Sequence, residues 1–482
     1  MPDIRYVCIS DMHLGAETSL LTNLETASDN IDASKASPVL EKLVDCLRWL
    51  ISQNEDKKQR PTLVLNGDIL ELALAEDQDA AMTFERFIDL IMDQGRELFD
   101  QIIYNPGNHD HHMWESARET QYAEYISGAP WGSELPFPWH ATNIFTGPVR
   151  SYFLTQLVRR RDNLKNMTIQ TAYPNFGVIT NDKNRCVVFH HGHFVESIYM
   201  LMSILKTMVF PGSEIPEDIW DIETENFAWI DFFWSTMGRS GAVGKGVGRI
   251  YEKLQDPQQV KKLLVNLAEG LAKRYGPSGL GDLMESKLLE WVLGKLVNSV
   301  GGLERNKPDT LLSDDAQKGL WTYMEKPLWQ QLTAEWQRIT GESYESRPPE
   351  TTFVFGHTHK PFQEEMNFPV FPGWVNVYNS GGWVVDTVDR QPLHGGAVIL
   401  LDENLEATSL RMYNETDDPG KYMVSVQDAR HPGDPPGAFH SRIAGLVIPS
   451  SDPWKAFADA TARAVNVRAQ NLRARINSPS YQ

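Results

Sequence analysis

Five short apolar runs in this chain end in the same kind of residue. Ile4 to Ser10 runs into Asp11-Met12-His13, and Leu63 to Leu65 into Asn66-Gly67-Asp68. Ile102 to Tyr104 leads to Gly107-Asn108-His109-Asp110, and Val187 to Phe189 to His190-His191-Gly192-His193. Phe353 to Phe355 leads to Gly356-His357-Thr358-His359. Short apolar runs bounded by turn residues read as strands buried on both faces. Helical patterns separate the first three. Ser37-Pro38 offers an N-cap and an N1 proline to a helix carrying Val39, Leu40, Leu43, Leu47 and Leu50, and Met82 to Phe99 predicts a second. Such alternation calls for α/β layering with a largely parallel sheet at the start. The carboxyl ends of those strands are where an open α/β sheet places its ligand crevice.

More strands are predicted near Phe176–Thr180, Val375–Tyr378 and Val384-Val385. Ala397 to Leu401 and Ala407 to Met412 read as a hairpin turned by Asp402-Glu403-Asn404. Between 194 and 350 the pattern changes to helical spacing, with stretches at 258–275, 280–300 and 315–339. The reading is therefore a core from 1–193 and 351–413, a helical insertion over 194–350 as a candidate lid, and a C-terminal tail and helix over 414–482. Within the insertion, Gly238 to Gly248 has Arg239 where a phosphate loop needs Gly and Gly246 where it needs Ser or Thr, so a hinge is expected there.

Charge limits the partners. Lys and Arg number 45 against 64 Asp and Glu, a formal net charge of −19. Nucleic-acid affinity comes largely from cationic contacts to phosphate, so no nucleic-acid partner is expected. A metal centre can still supply positive charge for an anionic substrate. Cys8, Cys46 and Cys186 are too few and too scattered for a disulfide framework or a zinc knuckle. Met1 to Arg5 carries no basic leader, and no apolar run approaches the length of a membrane span, so a cytoplasmic protein is expected.

The residues at the five strand ends suit one task. Imidazole, carboxylate and amide oxygen fit borderline-to-hard divalent ions. There are too many for one ion, so a pair sharing a carboxylate is expected, with Asp68 as the bridge. Two ions about 3.5–4 Å apart can clamp a phosphoryl group and lower the pKa of a bound water toward about 7.

The order D-x-H, G-D, G-N-H-D, H-G-H and G-H-x-H resembles that of the calcineurin-like metallophosphoesterase superfamily, over residues 4–193 and 352 to about 400. The resemblance implies an α/β fold, a β-sandwich flanked by helices with a large helical insertion. It implies that Asp11, His13, Asp68 and His359 hold one ion and that Asp68, Asn108, His191 and His357 hold the other. Manganese is the first expectation, with iron, zinc or magnesium as alternatives. Within the fourth motif His191 immediately precedes Gly192 and matches the usual ligand; His190 and His193 are the alternatives and are expected behind it. His109, next to a ligand, is the expected catalyst, stabilising the transition state or protonating the leaving alkoxide. Asp110 is expected to orient it or raise its pKa. The implied reaction is in-line attack by a metal-bridging hydroxide on a phosphate mono- or diester.

Phe194 to Phe210 follows the fourth motif and has only Glu196 and Lys206 as charged residues. A core helix is one reading. A lid for a lipid-linked pyrophosphate or nucleotide-sugar lipid is another, with peripheral membrane contact through 194–210. Superfamily hydrolases of lipid-bearing nucleotide sugars carry a helical lid here, but their third motif is usually G-N-R-D. Trp220, Trp229, Trp234 and Tyr251 are candidates for a binding wall. A non-catalytic scaffold of the same fold is the reading from another class, and here no motif residue is missing.

Overall fold

A computed structural model describes residues 2–25, 30–210, 212–236, 304, 307, 309–431 and 433–476. The predicted hinge at Gly238–Gly248, Tyr251 and the helices at 258–275 and 280–300 lie outside the described residues.

Strand β1 (Ile4–Ile9) pairs in parallel with β4 (Thr62–Asn66), and β4 with β5 (Gln101–Asn105). Their apolar central residues are explained by burial on both faces. The hairpin β13 (Gly395–Asp402) and β14 (Ala407–Asn414) extends this sheet antiparallel on the other side of β1. Eight strands result. A second sheet of five has β9 (Arg185–His190) and β10 (Glu350–Phe355) in parallel at its centre, with β12 (Val375–Asn379) parallel to β10.

The two sheets face each other. Cys8, Val64, Ile103 and Ile399 of the first meet Val187, Phe189, Val354 and Tyr378 of the second in one buried cluster. Outside the first sheet lie α1 (Pro38–Ile51), α2 (Asp77–Ile91) and the C-terminal helix Trp454–Ile476. Ser37 Oγ accepts from Leu40 N–H at 3.0 Å and starts α1, whose buried face is Val39, Leu40, Leu43, Val44, Leu47 and Leu50. The predicted Met82–Phe99 helix instead ends at Ile91, because Gly95 at φ 78° turns the chain into β5. Outside the second sheet, Phe194, Ile198, Ile222, Leu320 and Trp336 of the insertion join Val188, Phe353 and Val377 in a second core.

The tail is packed. Trp454 meets Trp49 edge-on at 5.7 Å, and Phe457 is fully buried. The predicted helix at 315–339 is two, Asp314–Tyr323 and Trp329–Thr340, joined by a π-helical turn at Pro327, which has no N–H to donate. Val384 makes only a bridge to Ser19 rather than a strand. No helix among the described residues is long and apolar enough to cross a membrane.

Candidate metal centre

All five predicted motifs meet at one edge of the sandwich, because β1, β4 and β5 run parallel in one sheet and β9 and β10 run parallel in the other. Their loops are sewn together. Asp11 N–H donates to the Gly67 carbonyl and His13 N–H to that of Asp68, both at 2.9 Å. His357 N–H donates to Asp11 Oδ1 at 2.9 Å, and Gly356 N–H to the His191 carbonyl at 2.8 Å. Asn66 Nδ2 crosses between the sheets to the His190 carbonyl at 3.0 Å. A side chain at Gly67 would run into the His191 ring, and one at Gly356 into the Asp11 carboxylate. Only glycine permits these approaches.

Seven non-glycine described residues have positive φ, and five of them are Asp11, His13, Asp68, His357 and His359, between 45° and 69°. Such conformations cost about 1–3 kcal/mol each and concentrate at functional sites. The motif side chains are almost completely enclosed, from 0 to 6% exposed.

Among the described residues three groups of donor atoms form: His13, Glu71 and His109 make one, and the other two meet at Asp68. Asp11, His13 and His359 make one, with His359 Nε2 3.5 Å from Asp11 Oδ1. Asp68, His191 and His357 make the other, and here His191 Nε2 lies 3.3 Å from Asp68 Oδ2, 3.1 Å from Asn108 Oδ1 and 3.2 Å from His357 Nδ1. Asp68 Oδ2 is also 3.7 Å from His13 Nε2, so this carboxylate stands between the groups.

The far nitrogen of each imidazole is held. His13 Nδ1 meets Glu71 Oε2 at 2.9 Å, His359 Nδ1 meets Asp386 Oδ2 at 2.6 Å, and His357 Nε2 meets Glu196 Oε1 at 2.9 Å. His191 Nδ1 faces the Asn66 carbonyl at 3.3 Å. Outer acceptors of this kind fix the tautomer and ring orientation of metal-binding histidines. Burial opposes charge on His191 and His359, but Asp68 and Asp11 beside the first and Asp386 and Asp11 beside the second push both up to about 9. Asp68 is driven the other way: burial would raise it, yet the imidazoles of His191 and His109 hold it well below the carboxylate range.

Glu71, Glu196 and Asp386 were not singled out in the sequence. Glu71 had a signal, three residues beyond Asp68, and Glu196 is one of two charges in an apolar run. Asp386 had none, because its strap reaches His359 only through the fold.

His109 sits beside the two groups, its N–H donating to Asp68 Oδ1 at 2.8 Å. Its Nδ1 lies 2.9 Å from Glu71 Oε1. Glu71 is thus a hydrogen-bond partner of the His109 ring. The Asp110 carboxylate turns inward, accepting from the N–H groups of Gly107 at 2.6 Å and Ile69 at 2.7 Å and from Tyr104 Oη at 2.5 Å. It clips the second motif to the third. Burial and the nearby Asp68 raise its carboxyl above the usual range. His190 points into the second core against Tyr323, ring centroids 4.5 Å apart, and His193 Nε2 faces Tyr173 Oη at 3.3 Å.

The insertion closes over the second group. Tyr199 lies edge-on to His357 at 5.2 Å, and Trp234 is buried against Tyr199. Trp229 donates its indole N–H to the Ile198 carbonyl at 2.9 Å, while Trp220 stays partly exposed. Lys360, next to His359, donates to the carbonyls of Lys307 at 2.6 Å and Thr310 at 2.7 Å. Among the described side chains of 194–210, Phe194, Val195, Ile198, Tyr199 and Ile204 are buried, and Met202 and Phe210 are exposed at 42 and 64%.

Residues 4–220 match the calcineurin-like phosphoesterase family. That match supports a metal-dependent phosphoesterase, a hydrolase of phosphate esters that uses divalent metal ions. No curated protein matches the chain. A solved dimetal phosphatase from Danio rerio aligns over 85% of this chain and 95% of that chain, at 12% identity and a TM-score of 0.27, too loose an alignment to bear on fold or mechanism.

The donor chemistry fits the ions this class requires. His13 Nε2 is buried without a hydrogen-bond partner, facing Asp68 and the Asp11–His359 pair. The groups offer nitrogen and oxygen donors and no thiolate, as borderline-to-hard divalent ions prefer.

Proposed function

We propose that the chain hydrolyses a phosphate mono- or diester at a two-ion centre. Asp11, His13, Asp68 and His359 would hold one ion, and Asp68, Asn108, His191 and His357 the other. One observation carries this reading. Two donor groups meet at Asp68, which belongs to one and lies 3.7 Å from His13 of the other, and every imidazole in them has its opposite nitrogen held by a carboxylate or a carbonyl. When bound, the ions supply Lewis acidity toward phosphoryl oxygens and a water acidic enough to attack in line at neutral pH.

The residues do the rest. Asp68 stands between the groups and sets their separation. Glu71 binds Nδ1 of His109, so Nε2 is the nitrogen that gives its proton to the leaving alkoxide. Asp110 keeps Gly107 to His109 in register with Asp68 through its backbone bonds. The insertion, by enclosing the donors, excludes bulk water and makes access selective. A substrate with an apolar leaving group suits the aromatic residues near His357; lipid contact through 194–210 would fall to Met202 and Phe210.

The deciding experiment compares initial rates on an aryl phosphomonoester and the matching diester, after chelation and reloading with manganese. Turnover should need metal, and His109→Ala should lower kcat by about 10²–10⁴-fold, the usual worth of a positioned general acid, while metal is still bound. Full activity in metal-free protein would sink the proposal. Two bound ions with no turnover on either ester would direct the search to lipid-linked esters.

A further inference from the structure

Asp11 and His13 sit at φ of 50° and 45°, conformations that persist only where the surroundings over-determine them. Their loop is stitched from within. Ser19 Oγ donates to the Met12 carbonyl at 2.7 Å, and Ala16 N–H to that of His13 at 3.0 Å. It is also sewn to a strap at 383–386. Trp383 N–H donates to the Asp11 carbonyl at 3.0 Å, Leu20 N–H to that of Trp383 at 2.7 Å, and Val385 N–H to that of Thr18 at 3.1 Å. The next residue on the strap, Asp386, holds His359.

Two carbonyls of the loop turn to the C-terminal helix. There Arg468 donates from Nε to Ser19 at 3.1 Å and from Nη2 to Thr22 at 2.6 Å. Arg468 is 7% exposed and makes no ion pair among the described residues. Burial lowers it to about 10, so it keeps its charge at neutral pH. A buried cation without a counter-charge costs stability, and here its hydrogen bonds are to the loop of the first motif. The same helix sets Phe457 edge-on to Trp383 at 6.3 Å and pairs Arg475 with Glu17.

We propose that Arg468 is a positioning residue for the Asp11–His13–His359 group. Through it, the C-terminal helix fixes the loop that presents Asp11 and His13 and the strap that presents Asp386 to His359. The consequence for metal uptake rests on the two-ion reading above. The Asp68–His191–His357 group has separate supports in Glu196 and the Asn66 carbonyl, so the two ions answer to different parts of the chain.

Metal-free wild type, Arg468→Ala and Arg468→Lys are titrated with manganese by calorimetry. Arg468→Ala should keep one ion at wild-type affinity and bind the other at least about tenfold more weakly, the loss typical when support behind a ligand is removed. Methylguanidinium should restore the weakened ion. Equal weakening of both ions, or of neither, overturns the proposal. Amide hydrogen exchange on metal-free wild type and Arg468→Lys tests it without metal and without the larger truncation. Faster exchange confined to 11–24 and 383–386 is expected, with β4 and β9 unchanged; uniform or absent change overturns it. If wild type takes up no ion, the two-ion reading falls by itself and the exchange pattern still decides the role of Arg468.

Discussion

The Glu71 carboxylate joins His13 to His109, with Oε2 2.9 Å from Nδ1 of the first and Oε1 2.9 Å from Nδ1 of the second. Oε1 also accepts the N–H groups of Ala73 and Leu74 at 3.0 Å, which fixes the carboxylate itself. Burial would raise this carboxyl, but His109 and His13 hold it below its ordinary range. A residue of the donor group and the proposed acid thus share one anion.

Glu71→Gln leaves one oxygen and one amide where two oxygens stood, so one imidazole must turn or change tautomer. A fall in kcat of about 10–100-fold, with weaker metal binding, is expected. Kinetics beside a metal titration check it, and wild-type values in both would remove Glu71 from the machinery.

Asp110→Asn distinguishes a backbone clip from an orienting partner of His109. The amide faces N–H donors with a donor of its own, so the variant should lose about 2–4 kcal/mol of stability, as buried charged hydrogen bonds do. Denaturant unfolding measures that. The pH at which activity is half-maximal should stay put, because the Asp110 carboxylate accepts from the backbone N–H groups of Gly107 and Ile69 and from Tyr104; a displaced profile would support an orienting role.

Glu196→Ala should act on His357 alone. With Nε2 released, the Asp68–His191–His357 group loses its fixed ring, and one of two manganese ions should bind about 10–100-fold more weakly. Calorimetry reads this directly, and an unchanged titration would show that the insertion only covers the site.

Glu415 predicts a pH effect away from the metal groups. It is buried, Oε1 has no hydrogen-bond partner, and burial pushes its carboxyl up to about 7. The folded state therefore keeps a proton that the unfolded chain, with an ordinary value of 4.5, releases. This contribution is fully present below about pH 4.5 and lost as pH rises to about 7, some 3 kcal/mol in all from the size of the shift. Glu415→Gln should match wild type at pH 4 and exceed it in stability at pH 8. Equal pH slopes for the two proteins would refute it.

The strand ends were legible because chemistry and local pattern coincide there. An apolar run followed by Asp, Asn or His needs only period and composition to be seen, and α1 was legible from Ser37 and Pro38. The helix at 77–91 was overextended because Met92, Leu98 and Phe99 are apolar yet buried beyond a turn. The backbone bonds of Asp110 were not legible, because adjacency to His109 in sequence says nothing of which way a carboxylate points.

The sequence by itself determined which side chains end the five strands and hence the class of chemistry, since ligand type is a property of residues. It also determined, through short, nearly all-apolar runs, that those strands are buried on both faces. The tertiary structure alone recruited Glu71, Glu196, Asp386 and Arg468. These partners lie 58, 161, 27 and 449 residues from the atoms they hold. A hydrogen bond is set by distance and direction in space, and for contacts so far apart along the chain only the packing of the two sheets, the insertion and the last helix supplies both.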